Sequence, residues 1–239
     1  MSLAYTLVRG AITRVYDRFV HTPPVLEMAD YFPQSQLFID AWRTLRAEAL
    51  AVAGDLAQVP QFHELMPEQY PLSGHGNREW RMFVLRAYGL DINDNMARCP
   101  RLAELVRANP TIKSASLSFL APGKVVPIHT GPFRGVTRFY LGLKVPAAAD
   151  GGPGVTLSIA DQAYRLGDGD ALLWDDTYPH SVNNDTDEWR IALLMDVYRA
   201  HMPAPLRAFT NSIVALARLS IRWRGVFPGK LPRSLSDSR

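Results

Sequence analysis

Two of the six histidines, His129 and His180, stand where a metal site on a β-fold could use them. His129 lies between Pro127-Ile128 and Thr130-Gly131-Pro132, at a loop-to-strand junction. His180 follows Asp175-Asp176-Thr177-Tyr178-Pro179 and opens a strand. The two are 51 positions apart with three or four strand-like runs between them, an interval that can return a chain to the same end of a jelly roll. Two neutral imidazoles meeting there could bind a borderline divalent ion such as Fe(II).

Arg190 adds a second kind of chemistry. It begins the apolar run Ile191-Ala192-Leu193-Leu194-Met195, and an arginine on an inward-looking strand is costly to bury without an anionic partner. No acid on that strand can face it before Asp196. A small dicarboxylate would suit, held bidentately by the guanidinium fork. Arg138 similarly begins Phe139-Tyr140-Leu141-Gly142-Leu143. Two arginines near a two-histidine metal point to a cosubstrate with two carboxylates.

These residues need elements to hold them, and the hydrophobic pattern supplies two kinds. Leu3, Leu7, Val8, Ile12, Val15, Tyr16 and Phe19 share helical spacing until Thr22-Pro23-Pro24. A second helix is predicted over about Ser35 to Val52, with Phe38, Trp42, Leu45, Ala49 and Val52 on one face and Gly54 at its end. Residues 55–79 read as a long loop over the barrel mouth, carrying His63, Glu64, His75 and Asn77. Trp80 to Tyr88 suits a strand, and Pro100 opens a short helix. From residue 114 the period falls to two. Strand-like runs are Ser114–Leu120, Arg138–Val145, Val155–Ile159, Ala163–Leu166, Ala171–Trp174, His180–Asn183 and Arg190–Tyr198, separated by turns. Such a series predicts a sandwich or barrel. After Pro203 helical spacing returns, with Leu206, Phe209, Ile213 and Leu216 on one side and Arg207, Arg218 and Arg222 on the other.

The ordered set His129-Thr130-Gly131-Pro132, Arg138-Phe139-Tyr140-Leu141-Gly142-Leu143 and Trp174-Asp175-Asp176-Thr177 with His180 and Arg190 resembles the aspartyl/asparaginyl β-hydroxylase family. The resemblance covers roughly Trp80 to Tyr198, and the whole-chain layout is also similar to bacterial lipid A hydroxylases of that superfamily. It implies a mainly β fold with flanking helices, a double-stranded β-helix of the jelly-roll, cupin-like kind. On that layout residues 1–79 are N-terminal helices and loop, 80–200 the barrel, and 201–239 a basic amphipathic helix and tail. It also implies an Fe(II)- and 2-oxoglutarate-dependent dioxygenase that hydroxylates an unactivated carbon. His129 and His180 would be the iron ligands. Arg190, helped by the Ser118 hydroxyl, would hold the distal carboxylate of 2-oxoglutarate, and Arg138 the carboxylate beside the keto group. Tyr140 stands where the family usually has a histidine. Most such iron sites add a carboxylate to the two histidines. Gly131 occupies that place here, as in the family, and Asp175 and Asp176 read as supporting groups rather than ligands.

Composition narrows the rest. One cysteine, Cys99, excludes a disulfide scaffold and cysteine-rich zinc sites. No apolar run is long enough for a membrane-spanning helix. Eight basic residues against one acid lie from Arg199 to Arg239, leaving 18 basic against 22 acidic residues before it. A basic tail on an acidic body suits an anionic neighbour, so peripheral membrane contact through residues 203–224 is one expectation, and packing of that helix on the barrel is the other. Nucleic acid is the least favoured partner, because no recognised nucleic-acid motif is present. The expected location is the cytoplasm or the inner face of the inner membrane. A peptide side chain, a small metabolite and a lipid acyl chain all stay open as substrate. The alternatives are a lipid A acyl-chain hydroxylase, a halogenase using the ligand place that Gly131 leaves, and a non-catalytic cupin-like binding barrel.

Overall fold

In the computed structural model, which describes residues 3–67, 70–73 and 78–224, helices come first. They are α1 (Leu3–Asp17), α2 (Met28–Tyr31), α3 (Ser35–Asp40), α4 (Trp42–Ala53), α5 (Phe62–Leu65) and α6 (Tyr70–Ser73). The strand β1 (Trp80–Ala87) and the short β2 (Leu90–Asp91) follow, then α7 (Asn93–Arg98) and α8 (Pro100–Ala108). The remaining strands are β3 (Ile112–Leu120), β4 (Val125–His129), β5 (Val136–Lys144), β6 (Val155–Ile159), β7 (Gln162–Arg165), β8 (Ala171–Trp174), β9 (His180–Asn184) and β10 (Arg190–Tyr198). The helix α9 (Ala204–Arg224) closes the described chain.

The strands form two antiparallel sheets, a larger one in the order β2-β1-β3-β10-β5-β8 and a smaller one in the order β4-β9-β6-β7. This is the mainly β, helix-flanked jelly-roll layout expected of the sequence. The larger sheet is buried on both faces, which is why its central strands read as nearly continuous apolar runs. On one face Leu117, Phe119, Phe139, Leu141, Ile191, Leu193 and Met195 join Phe32, Phe38, Leu45, Ala49 and Val52 of the helical region in a single core. The alternate residues look between the sheets. Tyr140 and Ala192 pack there with Leu157 and Ile159 of β6 and Trp174 of β8. Because side chains alternate at every residue, Ser116 and Ser118 on β3, Arg138 and Tyr140 on β5, and Arg190, Ala192 and Leu194 on β10 share this inner face. The register pairs Ala192 with Ser118 and Leu194 with Ser116 and Tyr140.

Several expected boundaries change. The single helix over Ser35 to Val52 is two, α3 and α4, divided at Ala41 (φ −86°, ψ 1°), so that Phe38 and Leu45 are both fully buried. The expected loop over 55–79 contains α5, with a reciprocal capping box between Gln61 and Glu64, and α6. His75 and Asn77 lie outside the described residues. The segment before His129 is the strand β4, read in the sequence only as a junction. On α9 the packed side is rotated from the expected one. Leu206, Thr210 and Val214 are buried while Leu216 is exposed. Thr210 is tolerated there because its hydroxyl bonds the Tyr16 phenol and the Leu206 carbonyl.

Candidate active site

β4 and β9 are neighbours in the smaller sheet, and their register sets His129 directly opposite His180. The two rings lie 4.1 Å apart between centroids. Each ring is fixed by its own backbone: His129 Nδ1 bonds the Pro127 carbonyl and His180 Nδ1 the Tyr178 carbonyl, both at 2.9 Å. A carbonyl accepts, so each Nδ1 carries the proton, and each Nε2 presents a lone pair suited to a metal. Burial, with the His129 ring adding to it, holds His180 down at about 3, so it is neutral near pH 7. Among the described residues no third His, Cys, Asp or Glu joins them as a metal cluster.

The loop that delivers His180 is pinned. Asp175, wholly buried, accepts bonds from Thr177 and from the buried Arg199 guanidinium. Its backbone N–H donates to the Pro24 carbonyl, and the Tyr178 phenol donates to the Thr22 carbonyl. Asp175 is therefore a scaffold for the loop and does not line the cavities beside the histidines. Asp176 is different. Its Oδ2 accepts from Arg138 Nη2 at 3.1 Å, while its buried Oδ1 has no hydrogen-bond partner. Burial raises its carboxyl well above the usual range despite the nearby Arg138.

Behind the histidines a cavity is lined by His129, His180, Arg138, Tyr140, Trp174 and Arg190, with apolar walls from Val126, Leu157 and Val182. Arg190 is 3% exposed, and no carboxylate pairs with it among the described residues. Asp196, the first acid on its strand, instead pairs with Arg138 at 2.7 Å. Arg190 Nη1 donates to Ser118 Oγ at 3.3 Å, its Nε has no partner, and its guanidinium carbon lies 6.0 Å from the Tyr140 ring. Ser118 Oγ also accepts the Trp80 indole N–H at 2.9 Å. With both acceptor positions used, the Ser118 hydroxyl has its proton left to donate. The Trp174 indole N–H is buried without a partner. The cavity thus offers donors and positive charge in an apolar enclosure, which is the chemistry of an anion site.

A groove continues from the histidines along the inner face of β1, β3 and β10. It passes Met82, Val84, Ser116 and Leu194 and reaches Tyr88 and Lys113. Phe62, Leu65 and Met66 form one wall, and Pro132, Phe133 and Val136 another. Phe62 is stacked on Trp80 at 4.1 Å, which ties the α5 wall to the sheet.

The structure thus brings His129, His180, Arg138, Tyr140, Ser118 and Arg190 to one opening between the sheets. His63 lies apart, bonded to Ser73. Residues not singled out for the site from sequence are Trp80, whose indole orients Ser118, and the donor Trp174. Their signal was an aromatic at the outer end of an inward-facing strand.

A model of the aspartyl/asparaginyl beta-hydroxylase family matches residues 40–200, which include every one of these groups. The chain belongs to that family. It is 30% identical to the ornithine lipid ester-linked acyl 2-hydroxylase of Rhizobium tropici, over 82% of this chain and 67% of that protein. It is 26% identical to the human aspartate beta-hydroxylase domain-containing protein 2, over 64% of this chain and 42% of that protein. To the human aspartyl/asparaginyl beta-hydroxylase it is 25% identical, over 67% of this chain and 20% of that protein. The chain therefore spans two thirds of the Rhizobium protein and less than half of the human ones. Among solved structures, a Pseudomonas putida prolyl-4-hydroxylase matches 80% of this chain at 14% identity and a TM-score of 0.45.

Proposed function

We propose that this family member is an Fe(II)- and 2-oxoglutarate-dependent hydroxylase acting on an unactivated carbon of a lipid acyl chain. The observation that carries the reading is the buried Arg190 guanidinium, without a carboxylate partner, sharing one cavity with two Nε2-presenting imidazoles. The donor set fits a ferrous ion: two imidazoles, each with its Nδ1 on a backbone carbonyl. When bound, the ion supplies the oxygen activation and radical chemistry.

The protein's part is positional. His129 and His180 hold the metal. Arg190, with the Ser118 hydroxyl, takes the distal carboxylate of the keto acid, and the Trp174 N–H and Tyr140 close around it. Arg138 lines the same cavity, and its bonds to Asp176 and Asp196 fix its orientation. In this reading it presents a positive edge toward the other carboxylate. The buried Asp176 Oδ1, without a partner, would supply a polar contact at the edge of the metal site that His129 and His180 would form. The apolar walls keep bulk water from the reacting carbon.

The groove supports the acyl-chain assignment. Met82, Val84, Phe62, Leu65, Met66, Phe133 and Val136 give it apolar walls, interrupted by Arg86, Lys113, Ser114, Ser116 and Asp196. It follows β1 from Trp80 to Tyr88, about 26 Å at ~3.3 Å per residue, more than an aspartyl side chain needs. The Rhizobium relative's name, an acyl 2-hydroxylase, points the same way. A peptide side chain is the second reading, favoured by the human relatives' names.

The test is turnover with Fe(II), 2-oxoglutarate and dioxygen, followed by succinate release. Fatty-acyl phospholipids or aminolipids should stimulate succinate release and gain one oxygen by mass spectrometry. Stimulation by aspartyl peptides alone would move the substrate to the second reading. No succinate under any condition would leave a binding barrel.

A further inference from the structure

The groove that leaves the histidines ends in positive charge. From Ser118, which bonds Arg190, to Ser114 on the groove wall, β3 advances about 13 Å at ~3.3 Å per residue. There the strand carries one extra residue. Ser114 pairs with Asp196 and Ile112 with Val197, which leaves Lys113 as a bulge between them. A bulge re-aims a side chain. Strict alternation from Ser118 and Ser116 would put Ile112 on the inner face and Lys113 on the other. The bulge reverses them: Ile112 enters the helical core, and Lys113 lines the groove beside Ser114.

Lys113 is half-buried, and its ammonium donates to the Pro110 carbonyl at 2.8 Å beside the Tyr198 ring. An ammonium has three donors, so two remain. Burial holds its pKa below the usual lysine range, and the charges of Arg218 and Arg86 push it the same way. Arg86 is paired with Asp91 at 2.6 Å. Arg218 is not paired; from α9 its Nε donates to the Tyr88 carbonyl. The turn between β1 and β2 makes room for it. Tyr88 (φ 48°) and Gly89 (φ 80°) both take left-handed backbone, and a Cβ on Gly89 would lie 2.2 Å from Arg218 Nη2. The nearby acids are committed elsewhere, Asp91 to Arg86 and Arg107, and Asp196 to Arg138. Lys113 and Arg218 thus stand together at the groove end with no carboxylate partner among the described residues.

We propose that Lys113 and Arg218 form a subsite for the anionic group, a carboxylate or a phosphate, of a lipid whose acyl chain occupies the groove. The proposal rests on the acyl-chain reading of the groove and adds where the lipid's charge sits. That place is remote from the histidines, so the oxidised carbon and the anion are held apart by the apolar stretch between them. An anion there relieves the repulsion between two cations and uses the free donors of Lys113, which an uncharged lipid cannot do.

The experiment is calorimetric titration of the full chain with dodecyl phosphate, dodecanoate and uncharged dodecyl maltoside, each below its micelle concentration. Wild type is compared with Lys113→Gln, Arg218→Gln and Lys113→Arg. The anionic amphiphiles should bind about tenfold more tightly than the uncharged one, Lys113→Gln and Arg218→Gln should each lose much of that preference, and Lys113→Arg should keep it. High salt should narrow the preference. Tighter binding of the phosphate assigns a phospholipid headgroup, tighter binding of the carboxylate a fatty acid or amino-acid headgroup, and either supports the subsite. Arg218 is exposed, so Arg218→Gln carries the test if Lys113→Gln does not fold. Equal affinity for charged and uncharged amphiphiles, a preference kept in full by either folded glutamine variant, or no binding of any amphiphile overturns the proposal. Succinate release measured alongside separates it from the hydroxylase reading. Charge preference without succinate removes only that reading, and succinate driven equally by the uncharged amphiphile removes only the subsite.

Discussion

Gly131 and Asp176 compete for one volume: a Cβ placed on Gly131 would lie 2.1 Å from Asp176 Oδ1, and the Gly131 N–H donates to the Asp176 carbonyl at 2.6 Å. Gly131 is two residues after His129, where a carboxylate ligand would be expected in most two-histidine iron sites. Here an acid from the loop before His180 fills that space, held by Arg138. The missing carboxylate is thus excluded by packing as well as by residue type.

Gly131→Asp should therefore fail to build a two-histidine, one-carboxylate site. Overpacking costs typically ~1–3 kcal/mol, and a second carboxylate beside Asp176 adds repulsion. The expected result is a lower melting temperature and weaker Fe(II) binding. Adding Asp176→Ala should recover part of the lost stability, which thermal denaturation of the single and double variants will show.

Arg190→Met separates a binding role from a structural one. A buried cation without a carboxylate partner is a cost to the ligand-free fold, and an apolar replacement of similar length is often neutral or stabilising. The variant should melt at or above the wild-type temperature without keto acid. It should also lose most of the rise that 2-oxoglutarate gives the wild type. A large drop in ligand-free stability would make Arg190 a structural residue.

Asp175→Ala should act through the loop. Removing one member of a buried ion pair costs about 3–5 kcal/mol, here by stranding Arg199. Denaturant unfolding will report this loss. Because the same loop presents His180, Fe(II) affinity should fall about 10- to 100-fold, as for other supports of a metal-ligating histidine.

The acid stability of the metal-free protein should carry the signature of His180. Its value is depressed in the fold, to about 3 from 6.5, so the unfolded chain binds a proton that the fold rejects. Stability is full above about pH 6.5 and declines as pH falls from there toward 3. Unfolding measured across that window should be less pH-dependent in His180→Gln than in the wild type.

The convergence of these candidate residues is partly legible in the sequence. His129 and His180 stood out by their turn settings, and Arg190 by its place ahead of an apolar strand. The inner face was harder to read. In β10, buried on both sides, Ile191 and Leu193 look no different from Leu194, although Leu194 lines the groove and the others enter the helical core. The alternation Ser114-Ser116-Ser118 on β3 was the available sign of the polar side. The Arg138 bond to Asp196 crosses between strands 58 residues apart in sequence, and only register reveals it. The break at Ala41 carries no proline or glycine, so tertiary packing rather than local chemistry sets it.

The most direct test is calorimetric titration of 2-oxoglutarate into the full chain, anaerobically, with and without Fe(II). One metal-dependent equivalent per chain is predicted, abolished in His129→Ala and His180→Ala and weakened about 10- to 100-fold in Arg190→Met. Binding that ignores the ferrous ion, or that survives unchanged in Arg190→Met, would contradict a keto acid held between the two imidazoles and the buried guanidinium.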